Sequence, residues 1–238
     1  MKLAFDKGGD GGKLLVLLHG LGANRCVWRA MLSASRWDGR WMALDLRGHG
    51  GSAHAASYAL EDHAADVVET IGAGWDEITV LGHSMGGAVG LKLAGGTKLA
   101  RVFGLGIKVA WDAQELAGLE RMAAASVKWF ATRDEAAARY LKVAGLAASD
   151  DSCVGPGIVQ GESGWRLAAD PATARVGPPP MRALIETARC PFHLARGAGD
   201  RMVSLEQLQE YDSEALDIPD AGHNAMVDRP GDVWDWVL

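Results

Sequence analysis

Residues 78–87 read Ile-Thr-Val-Leu-Gly-His-Ser-Met-Gly-Gly, and this stretch decides how the rest of the chain is interpreted. The apolar run 78–81 predicts a buried strand, and the small residues after Ser84 predict a helix to about Leu93. The hydroxyl of Ser84 would then stand at the apex of a very tight turn. Glycines two places before and after it lack a Cβ, so strand and helix can approach closely. A helix beginning here would also aim its first N–H groups at charge that forms beside Ser84.

Length, composition and charge set limits on the class of protein. The chain has 238 residues, is 48% hydrophobic and carries a formal net charge of −6, which suits one large α/β domain. It offers no basic patch for nucleic acid and no polybasic or long apolar segment for a membrane. The scattered Cys26, Cys153 and Cys190 predict reduced, mostly buried thiols and no metal site. We therefore expect a cytoplasmic monomer or small homo-oligomer that needs no cofactor.

Apolar strands alternate with helical patterns through the first 107 residues, which predicts a doubly wound, mostly parallel sheet. Glycine-rich turns follow the second, third and fourth strands, and the carboxyl ends of parallel strands are where ligands bind in such sheets. The expected strands are Lys2–Phe5, Leu14–Leu18, Trp41–Leu44, Ile78–Leu81 and Arg101–Ile107.

The alternation stops after Trp111. Alanine-rich stretches predict helices at 113–131 and 134–148, and no apolar strand is expected before a further helix at 181–187. We interpret this region as a helical cap over the active edge of the sheet. The expected organisation is a core part at residues 1–111, a cap insertion at 112–188 and a second core part at 189–238.

Strand patterns return near 191–195 and 215–218, and each leads into a loop that carries a titratable residue. Asp200 lies in the first of these loops and His223 in the second. Together with Ser84 they give the chain order Ser–Asp–His, with each residue placed after a predicted strand. The sequence resembles the α/β-hydrolase superfamily, whose catalytic residues follow that order. The motifs that carry the resemblance are His19-Gly20, Asp45-Leu-Arg-Gly-His-Gly50, Gly82-His-Ser-Met-Gly-Gly87, Gly197-Ala-Gly-Asp200 and Gly222-His223.

The resemblance assigns a role to each of these residues. Ser84 would be the nucleophile, His223 its base and Asp200 the acid that orients the histidine. Backbone N–H groups of Leu21 and Met85 would form the oxyanion hole. Two carboxylates compete with Asp200 for the acid's place, and pocket-lining tryptophans are a further expectation. The competitors are Asp112 and, more weakly, Asp220, and the tryptophans are Trp111, Trp129 and Trp165.

A serine at the turn argues against branches of the superfamily that place a carboxylate there, the haloalkane dehalogenases and epoxide hydrolases. The resemblance is greatest to small-substrate carboxylesterases and enol-lactonases, so we expect cleavage of an ester, lactone or thioester. Carbon–carbon bond hydrolases and perhydrolases of the same fold remain open, although Asn224 stands where the former often have tryptophan. A ligand-binding protein on a retired hydrolase scaffold is the alternative from another functional class.

Overall fold

The computed structural model describes residues 1–146 and 153–238, and its main feature is a mostly parallel sheet. The strands are β1 (Phe5–Gly8), β2 (Lys13–Leu18), β3 (Arg40–Leu44), β4 (Glu77–His83), β5 (Arg101–Leu105), β6 (Ile158–Gly161), β7 (Gly164–Leu167), β8 (Phe192–Gly197) and β9 (Leu216–Ile218). Seven of them form one sheet in the order β1-β3-β2-β4-β5-β8-β9. Only β1 runs antiparallel to its neighbour in that sheet.

Helices cover both faces of the sheet. The helices of the described residues, including those of the cap, are α1 (Arg29–Ser33), α2 (Leu60–Ile71), α3 (Met85–Ala94), α4 (Ala113–Ala123), α5 (Arg133–Ala144), α6 (Val154–Gly157), α7 (Met181–Thr187), α8 (Leu205–Gln209), α9 (Ala225–Asp228) and α10 (Pro230–Val237). Short 3-10 helices span Arg25–Trp28 and Pro171–Val176. In β2, Leu15 and Leu17 belong to one apolar core, whereas Leu14, Val16 and Leu18 belong to the other. Both faces are therefore buried, as in a doubly wound sheet, and the predicted fold class is confirmed.

The cap region differs from expectation in two ways. Its first two helices end early, at Ala123 and Ala144, and the last residues of the expected second helix, 147 and 148, lie outside the described residues. The expectation of no strand was wrong, because β6 and β7 pair as an antiparallel hairpin. Each of these strands has four residues and a largely accessible surface, so neither carries a long apolar run.

Helix α7 packs on α3, with Met181 and Leu184 in the apolar core that also holds Val89. It therefore lies with the helices that cover the sheet, although it falls inside the predicted insertion. The three-part division of the chain remains a prediction.

Some boundaries near the sheet edges also differ from the prediction. The first strand covers 5–8 and not 2–5, because residues expected to form a turn pair with β3, from Phe5 opposite Leu44 to Gly8 opposite Trp41. Ladder hydrogen bonds to a neighbouring strand outweigh the local turn composition here. Among the described residues, no helix is both long and apolar enough to cross a bilayer.

Candidate active site

Ser84 sits between β4 and α3 in a strained backbone conformation, with φ 50° and ψ −117°. Its N–H donates a 2.8 Å hydrogen bond to the carbonyl of Leu105 at the end of β5, which holds the turn in place. A Cβ on Gly82 would lie 2.2 Å from the carbonyl oxygen of Gly86, and one on Gly86 would lie 2.3 Å from that of Leu18. Residues with a side chain cannot occupy either position without moving the backbone. The predicted steric reason for both glycines is confirmed.

Asp200 and His223 are joined by a hydrogen bond. Nδ1–H of His223 donates to Oδ2 of Asp200 at 2.8 Å, and the aspartate side chain is fully buried. The second carboxylate oxygen accepts the N–H of Met202 at 2.8 Å. This arrangement selects the histidine tautomer whose Nε2 is a free acceptor. Gly106 passes close to both, since a Cβ there would lie 3.3 Å from each partner atom.

The two competing carboxylates lie elsewhere. Asp112 is exposed and caps helix α4, where its Oδ1 accepts the N–H of Glu115 at 2.8 Å. The side chain of Asp220 is 83% exposed and lies 3.6 Å from the guanidinium of Arg229. The carboxylate that the fold brings to His223 is that of Asp200.

Arg196 holds the loop that carries Asp200, and this role was not predicted from the sequence. Its guanidinium donates to the carbonyl oxygens of Asp200 at 3.0 Å and Val203 at 2.8 Å, and it pairs with Asp217 at 2.7 Å. An arginine with several donors can close a loop in this way, but the acceptors within the loop are backbone carbonyls, which no residue type in the sequence indicates.

His83 precedes Ser84 and contacts His223. Its Nε2–H donates to the carbonyl oxygen of His223 at 2.9 Å, and the two rings meet edge to face with centroids 4.5 Å apart. Nδ1 of His83 is buried and has no hydrogen-bond partner. Burial is the main cause that lowers the pKa of His83 well below its ordinary value, so the ring stays neutral.

Two further neutral histidines shape the loop that carries Leu21. His49 accepts the N–H of Gly22 on Nε2 at 3.1 Å, and His19 donates from Nδ1 to the carbonyl of Gly20 at 2.8 Å. Burial lowers the pKa of His19 to about 4 and that of His49 to about 3. Leu21 is therefore flanked on both sides by hydrogen-bonded residues, and its backbone N–H is part of a rigid loop.

A cavity of about 880 Å³ opens above these residues, and Leu21, Ser84, Met85 and His223 all lie on its wall. Clefts and cavities of this size with a few convergent polar groups are typical of small-molecule sites. The cap supplies much of the remaining cavity wall, including Leu119, Met122, Phe130, Val143 and Leu167.

Of the tryptophans expected in the pocket, Trp111 lines the cavity, whereas Trp129 and Trp165 are not among the residues of its wall. Phe130, which does line it, pairs with Trp165 through two backbone hydrogen bonds of 2.7 and 2.9 Å. Trp165 packs against the apolar core, and Trp129 is 40% exposed beneath the guanidinium of Arg166.

Two asparagines attach helix α5 of the cap to the loops of the site. Asn24 follows the Leu21 loop, and its amide donates to the hydroxyl of Tyr140 at 2.7 Å. The amide of Asn224, beside His223, donates to the carbonyls of Ala144 at 3.0 Å and Gly145 at 2.9 Å. Helix α5 is thus a fixed wall of the cavity.

The cysteines take no part in the site. All three are thiols rather than members of a disulfide, with Cys26 and Cys153 buried and Cys190 partly so. Within the described ranges, no group of three or more histidine, cysteine and acidic side chains is placed to hold a metal ion.

Comparison with known proteins places the chain in a family. A model of the alpha/beta hydrolase family matches residues 15–236, and the protein belongs to that family. The fold is also that of a solved E-2-(acetamidomethylene)succinate hydrolase, with a TM-score of 0.80 at 20% identity over 99% of this chain and 93% of the other.

Curated relatives match shorter stretches. The acetyltransferase component of an acetoin-cleaving system from Pseudomonas putida is 42% identical over 38% of this chain and 25% of its own length. Protein phosphatase methylesterase 1 from Bos taurus is 36% identical over 42% of this chain and 28% of its own length. The matched stretch is thus about a quarter of the length of each of these relatives.

Proposed function

We propose that this protein is a serine hydrolase that cleaves a carboxylic ester, lactone or thioester of a small substrate through an acyl-enzyme on Ser84. The observation that carries the proposal is the buried Asp200–His223 hydrogen bond, which leaves Nε2 of the histidine free on the cavity wall that also holds Ser84. A free Nε2 is what a serine hydroxyl needs in order to lose its proton as it attacks.

In the acylation half of the reaction, the oxygen of Ser84 forms a bond to the substrate carbonyl carbon while its proton passes to Nε2 of His223. Asp200 stays ionised and stabilises the imidazolium. The N–H groups of Leu21 and Met85 donate hydrogen bonds to the carbonyl oxygen and stabilise its negative charge. The carbonyl then re-forms, the bond to the leaving oxygen or sulfur breaks, and the leaving group takes the proton from His223.

In the deacylation half, water replaces the leaving group. His223 takes a proton from the water as its oxygen attacks the acyl carbon of the Ser84 ester. The second tetrahedral intermediate collapses, the serine oxygen leaves, and the proton returns to it from His223. The products are a carboxylic acid and an alcohol or thiol, with no redox change.

Two further features support an ester-type substrate. The hydrophobic cavity suits the acyl part of a small molecule, and one relative is named as a methylesterase. We expect the substrate to be the main partner of the protein.

A fluorophosphonate probe and short p-nitrophenyl esters test the proposal. We expect the probe to add its mass to the peptide that contains Ser84, and the esters to be turned over. Ser84→Ala should abolish labelling and reduce kcat by several orders of magnitude. Ser126→Ala is the matched control, because Ser126 lines the same cavity. This variant should keep both the labelling of Ser84 and the turnover of the esters. Labelling elsewhere, or turnover that survives Ser84→Ala, would contradict the assignment.

A further inference from the structure

The cavity wall carries an excess of unpaired positive charge. Lys128, Arg139 and Lys142 all line it, and none forms an ion pair with another described residue. The fourth cation on the wall, Lys108, is neutralised by Glu115 at 2.6 Å. The chain as a whole has a formal net charge of −6, so unpaired cations gathered at one cavity are not a consequence of composition.

Two acidic residues lie on the same wall, and each accepts hydrogen bonds from neutral donors. Asp170 accepts the hydroxyl of Tyr58 at 2.6 Å and the N–H of Ala172 at 2.9 Å. Asp228 accepts the N–H of Gly222 at 2.8 Å. Both carboxylates keep their negative charge, but the four cations on the wall outnumber the two carboxylates, so the wall remains positive.

Helix α5 carries two of the cations along the cavity wall. Val143 packs directly on the Leu21 loop, since a Cβ on Gly22 would lie 2.6 Å from its Cγ1. Arg139 is four residues earlier on the same helix face, and its Cα is therefore about 6 Å further along the axis. Lys142 is next to Val143. Because α5 is anchored at Tyr140 and Ala144, these positions are fixed relative to Ser84.

The wall near the third cation is apolar. Lys128 lies over the ring of Phe130, with Nζ 5.1 Å from the centroid, and Val127 lines the cavity beside it. A substrate that fills this space would place its reacting carbonyl at Ser84, an apolar stretch along the wall, and its far end among the cations.

We propose that the protein prefers substrates that carry an anionic group, a carboxylate or a phosphate, at the end remote from the scissile carbonyl, and that Lys128, Arg139 and Lys142 bind this group. The inference rests on the proposed function. Arginine and lysine beside apolar surface bind such oxyanions by charge-assisted hydrogen bonds. The site is open to solvent, so each contact is weakened and the combined effect on kcat/KM is about tenfold to a hundredfold.

Matched substrates test the preference. Mono-p-nitrophenyl esters of glutaric, adipic and suberic acid are compared with p-nitrophenyl esters whose carboxylate is replaced by a methyl group. We expect a higher kcat/KM for the anionic member of at least one pair, and an advantage that shrinks as salt is added. The combined variant Arg139→Gln, Lys142→Gln should lose most of the advantage while it keeps activity on the neutral esters. Arg133→Gln is the control, since Arg133 begins the same helix but does not line the cavity.

A second pair separates the two sources of negative charge. An acyl-coenzyme A carries phosphates on its leaving group, whereas the N-acetylcysteamine thioester of the same acid does not. A preference for the coenzyme A form that the double variant loses assigns the cations to a phosphate. A preference confined to the dicarboxylate esters assigns them to a carboxylate.

The inference fails if the wild-type protein shows no preference in either pair, or if the double variant keeps it. Failure of the proposed function looks different, because then no ester is cleaved and Ser84 is not labelled. In that case, thermal shifts of the Ser84→Ala protein with adipate and with hexanamide still measure the anion site. A larger stabilisation by adipate that disappears in the double variant supports the site, and equal shifts overturn it.

Discussion

Nε2–H of His83 donates a 2.9 Å hydrogen bond to the backbone carbonyl of His223, and the two rings meet edge to face 4.5 Å apart. The residue before the proposed nucleophile therefore fixes the backbone of the proposed base. This contact is made across 140 positions of sequence. It couples the turn after β4 to the loop after β9, so the elements that carry Ser84 and His223 are held in contact with one another.

Replacing His83 by phenylalanine keeps a ring but removes the donor. We expect His83→Phe to lower kcat about threefold to tenfold with little change in KM, because one neutral hydrogen bond that positions the base is lost. His83→Gln can still donate to the carbonyl and should recover part of the loss. Steady-state kinetics on a p-nitrophenyl ester measures both. A His83→Phe protein that is less stable but has an unchanged kcat would mean that the contact only supports the fold.

Neutralising Asp200 tests the choice of acid. Asp200→Asn should reduce kcat by about 10³- to 10⁴-fold, because the amide no longer selects the right tautomer or stabilises the imidazolium. Asp112→Asn and Asp220→Asn are matched controls, and turnover should persist in both. A large loss in either control, with Asp200→Asn active, would reassign the acid.

A methyl group at Gly82 should be very costly for the fold. A Cβ there would lie 2.2 Å from the carbonyl oxygen of Gly86, a backbone atom that cannot rotate away. We expect Gly82→Ala to lower the free energy of unfolding by at least about 3 kcal/mol, or to prevent folding. Gly96→Ala, which has nothing within 4 Å, should change it by less than about 1 kcal/mol. Urea unfolding compares the two, and equal stabilities would refute the steric argument.

Buried neutral histidines predict how stability depends on pH. His49 has a pKa of about 3 in the folded protein against an ordinary 6.5. Between these values the unfolded chain binds the proton more readily, so the free energy of unfolding falls as the pH falls. For this residue the slope approaches about 1.4 kcal/mol per pH unit below pH 6. Urea unfolding at pH 7, 6 and 5 should show a shallower decline in the free energy of unfolding for His49→Gln than for the wild type. Parallel declines in the two proteins would contradict this role of His49.

Asn224 should control how firmly α5 is attached. Its amide donates to two carbonyl oxygens, of Ala144 and Gly145. Asn224→Asp would place a carboxylate beside these two oxygens, which would repel it. We expect faster hydrogen exchange in α5, by tenfold or more, with unchanged protection in β4 and β5. Asn224→Ala should show a smaller effect, since it removes the donors without adding charge. Exchange that rises equally throughout the chain would indicate global destabilisation instead.

The succession of buried strands along the chain and the turn at Ser84 could be predicted because their physical causes are local. A strained backbone conformation needs glycines at fixed offsets, and a strand buried on both faces needs a continuous apolar run. Each of these two patterns can be recognised within about ten residues of sequence. The edge strand β1 was displaced and the β6–β7 hairpin was missed, because ladder pairing between short, partly exposed strands leaves a weak pattern.

Local sequence patterns are sufficient to predict an α/β-hydrolase sheet with a serine on a tight turn and a histidine in a later loop. The tertiary structure decided which carboxylate reaches that histidine, since Asp112 and Asp200 both follow strands and only the folded chain separates them. It also decided that Phe130 lines the cavity where Trp129 and Trp165 do not. The reason is that long-range packing and backbone acceptors place these side chains, and neither produces a periodic signal along the chain.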